Sequence, residues 1–189
     1  MIDYFALLQQ PRRPWLEAEQ LKENYHRLTI SQHPDRHSPH EKSADPVTDF
    51  ASVNEAYRVL LDPNLRLQHL LKLERIPASD VVPTELSDVF LETGTLIQEI
   101  DRLPARSTTS SLSKAVAQSE LLEKRKLTDD LLEKLQTMYK ASLEELQKVD
   151  RVWISTREIA PELSSLSSKL AYLSRWITQL EERQFQLSI

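Results

Sequence analysis

Cysteine is absent from the 189 residues. Disulfides, thiolate catalysis and Cys-ligated zinc or iron–sulfur sites are therefore excluded within this chain, which suits a reducing compartment. Glycine occurs once, at Gly94. Tight hairpins and phosphate-cradling loops both draw on glycine, so a sheet protein and a phosphate-loop enzyme are close to excluded, and the expected class is all-α. No apolar run approaches the length of a membrane span. An excess of basic charge is missing as well: the net charge is −5, residues 1–75 hold 10 Lys and Arg against 11 Asp and Glu, and the remainder holds 14 against 18. That is not the basic face of a nucleic-acid binder. The opening Met-Ile-Asp-Tyr-Phe has neither a basic region followed by an apolar core nor an Arg-rich presequence, so a cytoplasmic protein is the expectation.

What is present is helical periodicity. Asp3 is placed to cap a short first helix through Gln10, closed by Pro11 and Pro14. A second helix is predicted from about Glu17 to Gln32, with Leu21, Tyr25 and Leu28 on one stripe and Pro34 ending it. Residues 33–47 read as a loop. A third helix is predicted over Val47–Leu61 with Phe50, Val53, Ala56 or Tyr57, and Leu60 inward, and a fourth over Asn64–Leu73 after Asp62-Pro63. Residues 75–83 read as a hinge. Beyond it, Leu86, Phe90, Ile97 and Ile100 mark a helix over Thr84–Leu103. A long pattern follows over Leu112–Ser155, and the last helix carries Leu163, Leu166, Leu170, Leu173, Ile177 and Leu180. That 3-4-3-4-3 spacing is the seam of a bundle or coiled coil, and three such helices are expected to close into an antiparallel three-helix bundle. The bland reading of these leucines is core packing.

The stretch "TISQHPDRHSPH", residues 29–40, admits three chemistries. His33, His37 and His40 with Asp35 or Asp45 have ligand-like side chains, but the loop is stiffened by proline and the spacing matches no familiar closed metal site. A catalytic His33–Asp35 pair is disfavoured because Pro34 holds the chain extended and points the two side chains apart, with no nucleophile near in sequence. A rigid His-Pro-Asp corner, by contrast, has a low ordering cost on binding, and Asp35 can accept two hydrogen bonds from a partner arginine. Lys22, His26 and Arg27 on the preceding helix form a modest basic face beside it. A docking surface for an acidic protein partner follows.

"DYFALL", "LKENYHRLTISQHPDRH" and "FASVNEAYRVLLDPNLR" resemble the J domain in order, spacing and content over about residues 3–68. The resemblance implies a non-enzymatic co-chaperone that docks on a DnaK-type, HscA-like ATPase and stimulates its ATP hydrolysis. On the matching positions, Lys22, Tyr25, His26 and Arg27 are implied to face the chaperone, and His33, Pro34, Asp35 and Arg36 form the motif. His26 stands where Lys or Arg is usual, and Gln32 where a Tyr often precedes the motif. Downstream, "RLQHLLKLER", the lack of Cys and the continuation into helices resemble the HscB family of iron–sulfur cluster assembly co-chaperones, with His69 at that family's Tyr position. "SDVFLETGTLIQEID" and "SKLAYLSRWITQLEE" are similar to two stretches of the family, the first being the one through which it binds its IscU-like cluster scaffold. Phe90, Leu91, Glu99 and Tyr172 are the implied contacts, with bundle core as the competing role for Phe90, Leu91 and Tyr172.

The expected organisation is a J domain over 1–75 (a helical hairpin with short flanking helices), a linker over 76–83 and the three-helix bundle over 84–189. No cofactor, metal or nucleic acid is expected. The long helix exceeds what such a bundle needs, leaving length for self-association or another client. The competing functions are a J-domain co-chaperone for a different client and a structural helical protein with a vestigial motif. His37 and His40 receive no role.

Overall fold

A computed structural model describes residues 1–31, 50–79, 81–103, 111–153 and 159–188. Among them are seven α-helices and no strand: α1 (Tyr4–Leu7), α2 (Ala18–Ser31), α3 (Phe50–Leu61), α4 (Pro63–Leu73), α5 (Ser87–Asp101), α6 (Ser111–Arg151) and α7 (Ala160–Ser188), with a 3₁₀ turn at Thr84–Leu86. The chain is all-α, as expected. It forms two compact units: Met1–Ser79 with Leu143–Ser167, and Asp80–Ser142 with Ser168–Ile189.

In the first unit, Asp3 caps α1 as its sequence position predicts, accepting hydrogen bonds from the amides of Phe5 and Ala6. His69 Nε2 accepts from the Tyr4 amide at 3.1 Å, and its ring stacks on Tyr4 with centroids 4.5 Å apart. The Asp62 side chain caps α4, with Pro63 at the first turn where its missing N–H costs nothing. With glycine so scarce, α1 and α4 each end on a non-glycine residue in the left-handed region: Gln9 at φ 54° and Arg75 at φ 57°. The amide of Gln10 reaches back to the Phe5 carbonyl at 2.8 Å, and that of Ile76 to Leu71 at 2.9 Å, which completes the helix-terminating bond pattern that glycine usually serves.

Phe5, Leu8, Leu21, Val53, Ala56, Leu60, Leu67 and Leu70 are buried here. Each fully buried leucine contributes about 2 kcal/mol. Phe50, expected inward, is 48 % exposed, and Val59 is buried in α3. Arg66 is buried at the centre: its Nε donates to the Pro14 carbonyl at 2.9 Å, its Nη1 to Leu60 at 2.7 Å, and its guanidinium lies 5.8 Å from the Trp15 ring centroid. The α1–α2 connection is also tied to the far end of α6. The carboxylate of Asp150 accepts from Arg13 Nε and from the Trp15 amide, both at 3.0 Å, while Trp153 Nε1 donates to the Arg12 carbonyl. Ser164 Oγ donates to the Pro77 carbonyl at 2.8 Å.

In the second unit, side-chain pairs give the helix directions. Glu92 meets Lys134 and Glu99 meets Lys124, so α5 and α6 are antiparallel. Asp129 accepts from Gln184 and the Leu187 carbonyl from Arg125, so α6 and α7 are antiparallel as well. Glu85 with Lys169 and Asp101 with Arg183 set α5 and α7 parallel. This is the three-helix bundle expected from the leucine spacing. Its core joins Leu86, Val89, Leu96 and Ile100 to Leu131, Leu132 and Leu135 of α6 and to Leu173, Trp176 and Leu180 of α7.

Candidate functional site

The first candidate face lies on α2. Leu21 is buried and Tyr25 half-buried, so their stripe turns toward the rest of the unit and leaves the neighbouring stripe, Lys22 and His26, in solvent. Tyr25 is the bridge to α3: its hydroxyl donates to Asn54 Oδ1 at 2.8 Å, and its ring stacks on Tyr57 at 4.2 Å and 19°. The His26 ring lies tilted beside Tyr25, with centroids 5.5 Å apart. Lys22 makes no ion pair among the described residues, so its ammonium is available to a partner. Arg27 is used differently. Its guanidinium donates to Gln9 Oε1 at 2.5 Å and Asn24 Oδ1 at 3.0 Å, and Asn24 in turn holds the Leu8 carbonyl. Arg27 is thus bound into the turn after α1. His33, Pro34, Asp35 and Arg36, and with them His37 and His40, lie outside the described residues. Among the described residues there is no cluster of three His, Cys, Asp or Glu able to hold a metal ion, and no helix long and apolar enough to cross a membrane.

The second candidate face lies on the bundle. The sequence stripe Leu86–Phe90–Ile97–Ile100 is corrected by one position. Val89, Thr93 and Leu96 turn inward with Leu86 and Ile100, while Phe90 is 47 % and Leu91 65 % exposed. The 3₁₀ turn buries Leu86 just before α5 starts, and spacings of 3, 4, 3 and 4 from it select Val89, Thr93, Leu96 and Ile100. Phe90 is not isolated. Its ring centroid is 5.9 Å from that of Trp176, which is 5.6 Å from that of Tyr172. Trp176, missed by the leucine seam, is buried and forms the floor between the two outer rings. Glu99, about two turns beyond Leu91, pairs with Lys124 at 2.8 Å.

Gly94 lies on this part of α5. Its φ is in the ordinary range, and nothing lies within 4 Å of where a Cβ would stand. Glycine costs about 1 kcal/mol relative to alanine in a helix interior. Neither backbone conformation nor crowding requires it there.

Comparison with known proteins covers both units. Residues 3–69 match the DnaJ domain. The chain is 29 % identical over 189 residues to the co-chaperone protein HscB of Proteus mirabilis (strain HI4320), covering 97 % of this chain and 98 % of that one. It is 36 % identical over 91 residues to the co-chaperone protein HscB homolog of Azoarcus sp. (strain BH72), covering 47 % of this chain and 51 % of the relative. In three dimensions it is similar to chaperone HscB from Vibrio cholerae, with a TM-score of 0.66 at 19 % identity, covering 98 % of this chain and 99 % of that one. Residues 3–69 are thus a DnaJ domain, at the head of a chain that is similar to HscB co-chaperones along its whole length.

Proposed function

We propose that this protein is a cytoplasmic J-domain co-chaperone of iron–sulfur cluster assembly. It docks on a DnaK-type, HscA-like ATPase through the His33-Pro34-Asp35 motif with Arg36, and through the α2 face of Lys22 and His26, bordered by the half-buried Tyr25 and flanked by Arg27. Docking stimulates ATP hydrolysis by the partner. The chain itself supplies no hydrolytic chemistry; it biases the partner by binding one of its conformations better than the other. Residues 1–75 act as the J domain, 76–83 as the connection and 84–189 as the client-binding bundle. The bundle holds an IscU-like scaffold through Phe90, Leu91, Glu99 and Tyr172.

One observation carries this reading: the DnaJ match and the HscB similarity share a single chain and together span nearly all of it. The exposed Phe90 and Leu91 support the client half, because large apolar side chains left in water beside a buried aromatic floor are what an interface core needs. The test is single-turnover ATP hydrolysis by a cognate DnaK-type chaperone, with the native protein and with His33→Gln. Stimulation by the native protein and its loss in the variant are expected. Absence of stimulation by the native protein removes the co-chaperone reading. Binding of an iron–sulfur scaffold by the native protein and by Leu91→Ala and Tyr172→Ala separates that client from any other.

A further inference from the structure

The geometry points to Gly94 as the specificity-determining position of the client face: a notch into which the scaffold inserts a bulky apolar side chain. This rests on the scaffold-binding reading above and adds to it the shape of the partner. Gly94 is the sole glycine of 189 residues, so its place in the chain is informative. It does no work that the fold requires, since its φ is ordinary and the space beside it is open. A glycine that the fold tolerates at a cost, itself half-buried but set among the exposed Phe90, Leu91 and Thr95, marks a close approach from outside.

Its neighbours say what approaches. Gly94 follows Phe90 by four residues and Leu91 by three, so the three share one face of α5, and both large residues stand in solvent. Ser87, Phe90, Leu91 and Gly94 have the i, i+3, i+4, i+7 spacing of a hole that receives a knob from a facing element. Leu91, Gly94, Thr95 and Gln98 repeat that spacing one turn on, and Ser87, Thr95 and Gln98 are exposed. Gly94 belongs to both sets and widens both. Phe90 and Leu91 give the walls an apolar character, so the fitting knob is a large aliphatic or aromatic side chain. The nearby carboxylates of Glu92 and Glu99 are paired with Lys134 and Lys124 and stand as a neutralised rim.

The test measures thermal stability and scaffold affinity on the same full-length variants, using a cluster-free IscU-like scaffold as the probe. Gly94→Ala is expected to raise Tm by about 2–4 °C, through helix propensity alone. The same variant is expected to weaken scaffold binding about tenfold, and Gly94→Leu more, because each fills the space reserved for the knob. Leu91→Ala weakens binding as a control on the face. If Leu91→Ala weakens binding while Gly94→Ala leaves it within about twofold, the notch is overturned and the scaffold reading stands. If the native protein binds no scaffold, both fall together. A drop in Tm for Gly94→Ala shows a glycine serving the fold and overturns the notch.

Discussion

Asp150, in the last turn of α6, receives both the Arg13 guanidinium and the Trp15 backbone amide, with the Asp150 side chain 5 % exposed and that of Arg13 45 % exposed. The unequal exposure makes the two ends energetically different. Removing Arg13 leaves a carboxylate buried with one remaining donor, whereas Asp150→Asn removes the charge and keeps an acceptor for Trp15. Arg13→Ala is therefore expected to destabilise by about 2 kcal/mol, more than Asp150→Asn, although Arg13 is the more exposed residue. The double variant should cost less than the sum of the single changes. Urea unfolding of the four proteins tests this, and additive single costs would show that the pair is uncoupled.

Acid sensitivity is expected from His69. Burial is the main cause that holds its imidazole below the ordinary histidine range; Lys72 and Arg12 push the same way and Asp3 opposes. The tautomer in the structure accepts from the Tyr4 amide, so protonation removes that bond. The unfolded chain binds this proton near pH 6.5 and the folded one only at lower pH, so stability rises with pH across that interval. The contribution is fully present above about pH 6.5 and lost as pH falls toward the depressed folded value. Between pH 7.5 and 5.5, Tm should fall further for the native protein than for His69→Gln, whose side-chain oxygen can still accept. Parallel pH profiles for the two proteins would refute the assignment.

Arg75 in the left-handed region predicts a stabilising substitution. Non-glycine residues pay about 1 kcal/mol or more for that conformation, and this side chain is exposed. Arg75→Gly is expected to raise stability by about 1 kcal/mol, or about 2–4 °C in Tm, offset in part by the greater freedom of glycine in the unfolded chain. A lower Tm would mean that the Arg75 side chain contributes contacts worth more than the strain.

On α2, adjacent basic residues are expected to behave differently. Lys22→Ala should leave stability within about 0.5 kcal/mol, because the side chain is exposed and unpaired among the described residues, and should reduce ATPase stimulation. Arg27→Ala breaks bonds to Gln9 and Asn24 and should lower Tm. Paired melting curves and single-turnover assays separate the two effects. Equal loss of stimulation at unchanged Tm for both would place Arg27 on the docking face with Lys22.

Helix positions are legible in the sequence because leucine spacing and proline punctuation act locally. Asp62-Pro63 announces the start of α4 without help from any distant residue. Phe90 shows where local reading stops. Two stripes fit the same apolar residues of α5, one through Phe90 and one through Val89, and a single step turns a side chain by about 100°. Which stripe faces in depends on the walls supplied by α6 and α7, beyond the reach of any window on α5. Asp150 is less legible still. A carboxylate beside Val149 reads as a solvated face, and its buried role is set by Arg13, 137 positions away. On α2, the apolar stripe announces the exposure of Lys22 and His26, while the separate use of Arg27 follows from Gln9 in a turn that the periodicity does not describe.

The tethering of residues 12–15 and 77 to Asp150, Trp153 and Ser164 bears on how portable the DnaJ domain is. A transplant cut after residue 75 would carry Arg13 and the Trp15 amide away from the carboxylate they share, and would strip the Arg12 carbonyl of its indole donor. Its neighbours in space, Leu143–Ser167, lie some seventy residues or more downstream. Evolution by shuffling sequence-contiguous modules is thereby penalised in this chain, and a grafted domain that keeps its native stability would have to bring the end of α6 and the start of α7 with it.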